Sequence, residues 1–212
     1  MNKHTTIVIT TDWIPSSPNT QFVESSLESI YDSYPSLRDC RVLIYYNRHD
    51  GNNGEKYPRD PNPYIDKPFE EDPYYNNLVT LSKHMYPGHL EIYGFDNDFE
   101  NLDYQQAGAL SRALDTITTP YMIWLQHDWT LNKNKVDNFP MDKIIEVFEK
   151  YEHVNYMSWN YRWNKLGGQD KVIELDNDIT EMNLCKASRW SNNPYIARVS
   201  KFHSDWASIA LN

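Results

Sequence analysis

A short apolar segment that ends in a polar tip constrains the fold more than any other feature of this chain. Residues 120–125 read Pro-Tyr-Met-Ile-Trp-Leu, and Gln126, His127 and Asp128 follow at once. An apolar stretch of this length between proline and polar residues is typical of a strand buried on both faces of a parallel sheet. Because ligands of such sheets bind beyond the carboxyl ends of the strands, the sequence predicts that Asp128 lies at a functional edge.

Strand and helix patterns alternate along the first 125 residues. Strand patterns lie at 6–10, 41–46, 90–93 and 121–125, and helical patterns lie at 22–31, 76–85 and 104–116. Asn19 or Thr20 is the expected cap of the first helix. This alternation implies right-handed βαβ crossovers and predicts an α/β fold with a mostly parallel central sheet and flanking helices.

The second half of the chain is less regular. Its patterns predict a helix at 141–151, a strand at 154–159, a hairpin at 171–175, a strand at 195–199 and a last helix from about Phe202. We therefore expect a small antiparallel element in the C-terminal half, within a single domain that covers residues 1–212.

Composition and charge narrow the classes of function. The chain has 212 residues, of which 40% are apolar and 24% charged, and this is typical of one globular domain. Its net charge of −10 argues against a nucleic-acid partner. No segment reaches the roughly 18 apolar residues of a membrane helix, and residues 1–4 lead directly into a strand instead of a signal-peptide core. We expect a cytoplasmic protein without a membrane span.

The two cysteines show no metal-binding pattern. Cys40 and Cys185 lie beside predicted strands, and neither has a cysteine or histidine at zinc-ligand spacing. Two buried free thiols are the favoured interpretation, and a disulfide between them is the alternative.

A proline-rich segment at 47–72 shows neither helical nor strand periodicity. Segments of this length in compact domains are usually functional loops or disordered insertions. A lid that faces the substrate and a plain surface insertion are both compatible with the pattern.

Three stretches carry a family resemblance. They are residues 6–12, a helix at 104–113 that contains Gly108 and Arg112, and the acidic strand at 120–129. With them the chain resembles the GT-A-fold nucleotide-sugar glycosyltransferases of the family-2 type, over about residues 6–128 and more loosely from 151 to the end. In size and element order it is also similar to the N-terminal glycosyltransferase domains of multidomain chlorovirus enzymes that build capsid glycans.

The resemblance implies a GT-A-like fold with a nucleotide-binding half at 1–128 and an acceptor-side half at 129–212. It implies transfer of a sugar from a nucleotide diphosphate donor, with a UDP-sugar as first choice, to a hydroxyl of a glycan or glycoprotein acceptor. It also implies a Mn²⁺ or Mg²⁺ ion held by Asp128, with His203 as a further ligand. The family's Asp-any-Asp motif reads Gln126-His127-Asp128 in this chain, and a neutral amide is a poorer ligand than a carboxylate for a hard cation.

The resemblance also implies roles for other residues. Candidates for the catalytic base that activates the acceptor hydroxyl are Asp178, Glu181 and Asp205, and whether the reaction inverts or retains stereochemistry stays open. The predicted donor-binding residues are Thr10, Thr11, Asp12, Asn47, Arg48, Arg112 and Gln126. The alternatives are a turn or cap residue for Asp12 and a solvated surface charge for Arg112.

Other classes of function are weighed against the same residues. The chain has no Walker phosphate loop, dinucleotide fingerprint or nucleophile elbow. A sugar nucleotidyltransferase would normally open with a glycine-rich loop, and residues 11–15 contain no glycine. Aromatic clusters at 158–164 and 189–195 suit an acceptor groove. They also suit a non-catalytic carbohydrate-binding module, which remains the alternative from a different class.

Overall fold

The structure is a computed structural model that describes residues 4–15, 17–48, 61–96, 105–132, 140–159 and 194–201, with only the backbone described at 105–107. The predicted hairpin at 171–175 and Cys185 lie outside the described residues. Residues 199–201 are helical, and the rest of the predicted last helix also lies outside them.

Strands and helices alternate as the sequence predicts. The elements of the first half are β1 (Thr5–Asp12), α1 (Gln21–Ser33), β2 (Arg41–Arg48), α2 (Pro73–His84), β3 (Leu90–Asp96), α3 (Gln105–Thr116) and β4 (Tyr121–Gln126). Those in the described part of the second half are α4 (Met141–Lys150), β5 (Tyr156–Ser158) and β6 (Tyr195–Arg198). Two short 3-10 helices cover Pro35–Leu37 and Phe69–Glu71.

The described strands form one sheet in the order β3-β2-β1-β4-β6-β5. Strands β1 to β4 run parallel, whereas β6 is antiparallel to both β4 and β5. This confirms the predicted GT-A-like α/β fold, with a mostly parallel sheet and a small antiparallel part in the C-terminal half. The chain proceeds outward from β1 to β3 and then returns past β1 to β4, so the strand order reverses between β1 and β4. Crevices at such reversals are the usual ligand sites of open α/β sheets.

Two helical layers cover the sheet. Ile7 and Ile44 face the layer that contains α1, α2 and α4. Their neighbours Val8 and Leu43 face α3 on the opposite side. Helices therefore cover both faces of the sheet and exclude water from them, which explains why the central strands are continuous apolar segments in the sequence. None of the helices in the described ranges is long and apolar enough to cross a membrane.

The strands extend farther toward their polar ends than the apolar patterns predict. β1 ends at Asp12 instead of residue 10, β2 at Arg48 instead of 46, and β3 at Asp96 instead of 93. At the ends of β2 and β3, Arg48 and Asp96 are ladder partners, and their side chains form a bidentate ion pair. Propensity alone places polar residues outside strands.

Local capping sets the starts of the helices. α2 begins three residues before its predicted start because the Asp72 carboxylate accepts hydrogen bonds from the backbone N–H groups of Tyr74 and Tyr75, with Pro73 in the first turn. At α1, Thr20 is the cap residue, and its hydroxyl bonds Glu24 instead of the backbone. Cys40 is a buried free thiol, as predicted.

Candidate functional site

The polar ends of the parallel strands meet at one edge of the sheet. Across the β1–β2 ladder Asp12 lies opposite Asn47, and across the β1–β4 ladder Thr10 lies opposite Gln126. The edge therefore gathers the predicted donor residues of three strands at the point where the strand order reverses.

Side-chain alternation divides these residues between the two faces of the sheet. Val8 faces α3, and because successive side chains point to opposite faces, Thr10 and Asp12 face the same way. Asn47 shares this face, since it lies two residues beyond Tyr45. Thr11 and Arg48 project to the other side, toward α2.

Asn47 is the most informative residue at this edge. It is 2% exposed, and neither its Nδ2 nor its Oδ1 has a hydrogen-bond partner in the described part of the chain. A buried amide without partners is costly, and buried polar groups in proteins are nearly always paired. The Asn47 side chain thus keeps one donor group and one acceptor group without a partner among the described residues, directly beside Asp12.

An aromatic ring lies next to Asn47, and a cation packs against that ring. Phe95 of β3 is the ladder partner of Asn47, and the guanidinium carbon of Arg112 lies 4.4 Å from the centre of the Phe95 ring. This cation–π contact holds Arg112 of α3 over the same face of the sheet. The N-terminus of α3, where the helix dipole is positive, points to the carboxyl edge because α3 leads back from β3 to β4. This face therefore combines an acid, an amide, an arginine and a positive helix end.

The tip of β4 contributes an amide and an exposed carboxylate. The Gln126 Oε1 accepts a hydrogen bond from the Trp129 indole Nε1 at 3.1 Å. Asp128 is exposed in the turn that follows. The Thr10 hydroxyl donates to the Leu125 carbonyl at 3.4 Å, which ties β1 to β4 just before this tip.

His127 lies on the α1 side of β4. Its carbonyl accepts a hydrogen bond from the Ser26 hydroxyl at 2.6 Å, and its ring lies 6.1 Å from the ring of Phe22. Its backbone N–H donates to the Thr10 carbonyl at 2.9 Å. These contacts make His127 a packing residue between β4 and α1.

The described residues contain no group of three or more histidine, cysteine, aspartate and glutamate side chains that would hold a metal ion. The donor set at the tip is the single carboxylate of Asp128 together with the engaged amide of Gln126. This set fits a Mg²⁺-like ion that takes one or two carboxylates and completes its shell with substrate phosphates and water. The predicted ligand His203 lies outside the described residues, as do the base candidates Asp178, Glu181 and Asp205.

Arg48 fastens residues 64–69 of the proline-rich segment to the sheet. Its side chain is 2% exposed, and its Nε and Nη2 donate to the Asp96 carboxylate at 2.6 and 2.8 Å. Its Nη1 donates to the carbonyls of Tyr64 and Lys67, both at 2.7 Å, and its guanidinium lies 3.7 Å from the centre of the Phe69 ring. These contacts engage the guanidinium on the face away from Asn47.

A buried polar network on the α2 side was not predicted. The Tyr46 hydroxyl donates to the Asp72 carboxylate at 2.7 Å and accepts from Asn62 Nδ2 at 2.6 Å. The hydroxyls of Thr11 and Tyr74 share a hydrogen bond of 2.6 Å. Burial raises the pKa of Tyr46, and Asp72 raises it further. Burial likewise raises the pKa of Tyr74 to about 12. The sequence held one signal for this network, the Asp72-Pro73 pair that is typical of a helix start.

Several solved structures have a fold similar to that of this chain. The chain is similar to residues 1–349 of Staphylococcus aureus TarS, with a TM-score of 0.50 and 11% identity over 95% of this chain and 49% of TarS 1–349. It therefore spans about half the length of that structure. Structures of the same TarS segment hold UDP and UDP-GlcNAc.

Two further matches have lower TM-scores. One is the 4-diphosphocytidyl-2C-methyl-D-erythritol synthase of Anaerococcus prevotii, with a TM-score of 0.48, 7% identity, and coverage of 100% of this chain and 78% of that one. The other is the mannosyltransferase PcManGT of Pyrobaculum calidifontis in complex with GDP-Man and Mn²⁺, with a TM-score of 0.46, 13% identity, and coverage of 75% and 36%.

No protein-family model and no curated protein matches the chain. The structural likeness concerns the fold alone and agrees with a GT-A-like α/β architecture. Nothing in these similarities supports a viral origin.

Proposed function

We propose that this chain is a glycosyltransferase that moves a sugar from a nucleotide diphosphate donor to a glycan hydroxyl. The observation that carries the proposal is the buried and unpartnered amide of Asn47 beside Asp12, at the carboxyl edge where the strand order reverses. A nucleobase offers adjacent donor and acceptor groups on one edge, so it can satisfy both atoms of this amide. UDP is the first nucleotide to test.

The phosphates of such a donor would meet the positive side of the same face. Arg112 is held there by Phe95, and the N-terminus of α3 adds a partial positive charge. A divalent cation held by Asp128 would neutralise the charge that develops on the leaving nucleoside diphosphate. Mn²⁺ and Mg²⁺ are the ions of choice for one carboxylate plus phosphate oxygens.

The acceptor would enter from the side of residues 129–212 under this proposal. A carboxylate there would deprotonate its hydroxyl, and Asp178, Glu181 and Asp205 stay the predicted candidates for that role. Thr10 and Gln126, which lie opposite each other beneath the tip, would line the floor between the nucleotide and the transferred sugar.

Calorimetric titration tests the donor site. UDP, GDP and dTDP are titrated into the protein with and without Mn²⁺, and we expect binding that depends on both the base and the metal. Asn47→Ala should weaken nucleotide binding by about tenfold, since a paired amide contributes about 1–1.5 kcal/mol. Asp128→Ala should remove the dependence on Mn²⁺.

Matched controls separate the site from the surface. Asp32 is an exposed carboxylate near the end of α1, at the opposite edge of the sheet, so Asp32→Ala should leave binding unchanged. Equal binding by the Asn47→Ala variant and the wild type would remove Asn47 from the donor site. If no nucleotide binds under any condition while free oligosaccharides bind, the carbohydrate-binding alternative replaces the transferase proposal. Preference for nucleoside triphosphates would favour a nucleotidyltransferase.

A further inference from the structure

A fully buried carboxylate lies beneath the candidate donor site. The Asp72 side chain has no solvent exposure, and among the described residues no lysine, arginine or histidine forms an ion pair with it. Its oxygens accept hydrogen bonds from the backbone N–H groups of Tyr74 and Tyr75 at 2.9 and 3.3 Å and from the Tyr46 hydroxyl at 2.7 Å. This bonding and the N-terminal dipole of α2 stabilise the buried charge.

Two hydrogen-bonded arms lead from Asp72 to the two strands of the donor site. The first arm is the bond to the Tyr46 hydroxyl, and Tyr46 directly precedes Asn47 in β2. The second arm runs through α2, which Asp72 caps. There Tyr74 bonds the hydroxyl of Thr11, and Thr11 directly precedes Asp12 in β1.

Both arms are buried and rigid. Tyr46, Tyr74 and Thr11 are all buried, and the rings of Tyr46 and Tyr74 lie 5.1 Å apart. Asn62 Nδ2 adds a further hydrogen bond to the Tyr46 hydroxyl. Hydrogen bonds in such a low-dielectric setting are strengthened and hold their geometry. The two strand ends are thus tied to one group from the face opposite the donor site.

We propose that Asp72 is a positioning residue that holds Asp12 and Asn47 in the geometry that reads the nucleobase. The inference rests on the proposed function, because it assigns these two residues to the base. Asp12 and Asn47 are ladder partners, so a rotation of either strand end changes the spacing of the carboxylate and the amide. Asp72 acts on both residues from beneath and touches neither the donor nor the reacting atoms.

Hydroxyl deletions test the proposal without the unfolding that loss of the Asp72 cap would risk. Tyr46→Phe and Tyr74→Phe each cut one arm and keep the ring. Tyr34→Phe is the matched control. Tyr34 is buried, and its hydroxyl accepts a hydrogen bond from the Trp159 indole at 2.9 Å. It follows α1, which leads from the carboxyl edge of the sheet back to the opposite edge.

The binding readout separates the base from the phosphates. With Mn²⁺ present, we expect the Kd for UDP to rise about 3- to 10-fold in each arm variant and to stay unchanged in Tyr34→Phe. The Kd for inorganic pyrophosphate should be the same in all four proteins. If these hydroxyls only stabilised the fold, thermal stability would fall in all three variants and the Kd for UDP would not rise selectively in the two arm variants. Unchanged UDP binding in both arm variants, or an equal loss for pyrophosphate, would overturn the proposal.

A second readout is independent of nucleotide binding. In amide NMR spectra, the backbone and side-chain signals of Asn47 and the backbone signal of Asp12 should shift in the arm variants and stay in place in Tyr34→Phe. If the wild type binds no nucleotide but these signals shift, the proposed function fails while the coupling of Asp72 to the two residues stands. Unmoved signals in both arm variants would refute the coupling itself.

Discussion

Gly94 of β3 offers a sharp test of how the proline-rich segment is attached to the sheet. Its φ lies outside the left-handed region, so alanine can adopt the same strand conformation. A Cβ at this position would lie 2.5 Å from Cε1 and 2.6 Å from Cδ1 of Phe69. Ordinary contacts between carbon atoms begin near 3.5 Å, so the ring would have to move by about 1 Å.

The size of the expected loss of stability depends on the contacts that hold the Phe69 ring. It lies beneath the Arg48 guanidinium at 3.7 Å and 5.1 Å from the ring of Tyr75. Displacement from such a site costs about 1–3 kcal/mol. Replacing a strand glycine by alanine returns about 0.5–1 kcal/mol. We therefore expect Gly94→Ala to lower the free energy of unfolding by up to about 2.5 kcal/mol.

Urea unfolding of a double-mutant cycle with Phe69→Ala measures this clash directly. Without the ring, Gly94→Ala should be neutral or slightly stabilising. Gly88 is the matched control, because its φ is +81° and a Cβ added there would meet no atom within 4 Å. Gly88→Ala should cost about 1–2 kcal/mol from backbone strain in either background. An equal cost of Gly94→Ala with and without Phe69 would refute the reasoning.

Three further outcomes are expected. Arg48→Lys should lower the free energy of unfolding by about 1–3 kcal/mol in urea at neutral pH, because an ammonium cannot replace the bidentate bonds to Asp96; an unchanged midpoint would contradict this. Burial raises the pKa of Cys40 from 9.0 to about 11. The stability that the protonated Cys40 thiol contributes is therefore complete below pH 9 and is lost between pH 9 and 11, at about 1.4 kcal/mol per pH unit. Urea unfolding at pH 8 to 10 should therefore show that the free energy of unfolding falls less steeply with pH in Cys40→Ala than in the wild type. Equal slopes in the two proteins would argue against this. The hydrogen bond from Arg41 lowers the pKa of Glu91, so the stability it provides is present at neutral pH and is lost as the pH falls through that lowered value. Glu91→Gln should flatten the acid limb of the unfolding curve, and an unaltered limb would contradict this.

Periodicity in the sequence was enough to predict the class of fold. The alternation of apolar strands and amphipathic helices follows from short-range spacing, and the structure contains each strand and helix predicted within the described ranges. The ends of the elements were less predictable. Arg48 and Asp96 end their strands as ladder partners and form a bidentate ion pair across 48 positions of sequence, and no local pattern carries that information.

The candidate site was predicted as a set of residues and not as an arrangement. The sequence placed Asp12, Asn47 and Gln126 at the ends of predicted strands, and in the structure these three residues lie at one edge of the sheet. Arg48 was grouped with them, yet the structure engages it with Asp96 and the proline-rich segment on the other face. The roles assigned to these residues stay predictions until nucleotide binding is measured.

The mostly parallel α/β sheet with a polar carboxyl edge is predictable from the amino-acid sequence, because hydrophobic period and strand polarity are local properties of the chain. The burial of Asn47 beside Asp12 without a partner among the described residues, and the hydrogen bonds that tie both strands to Asp72 and its helix, became visible in the three-dimensional structure. These relations depend on the order of the strands and on the path of residues 61–73 across their ends. Both are set by contacts between distant parts of the chain, which spacing along the sequence does not encode.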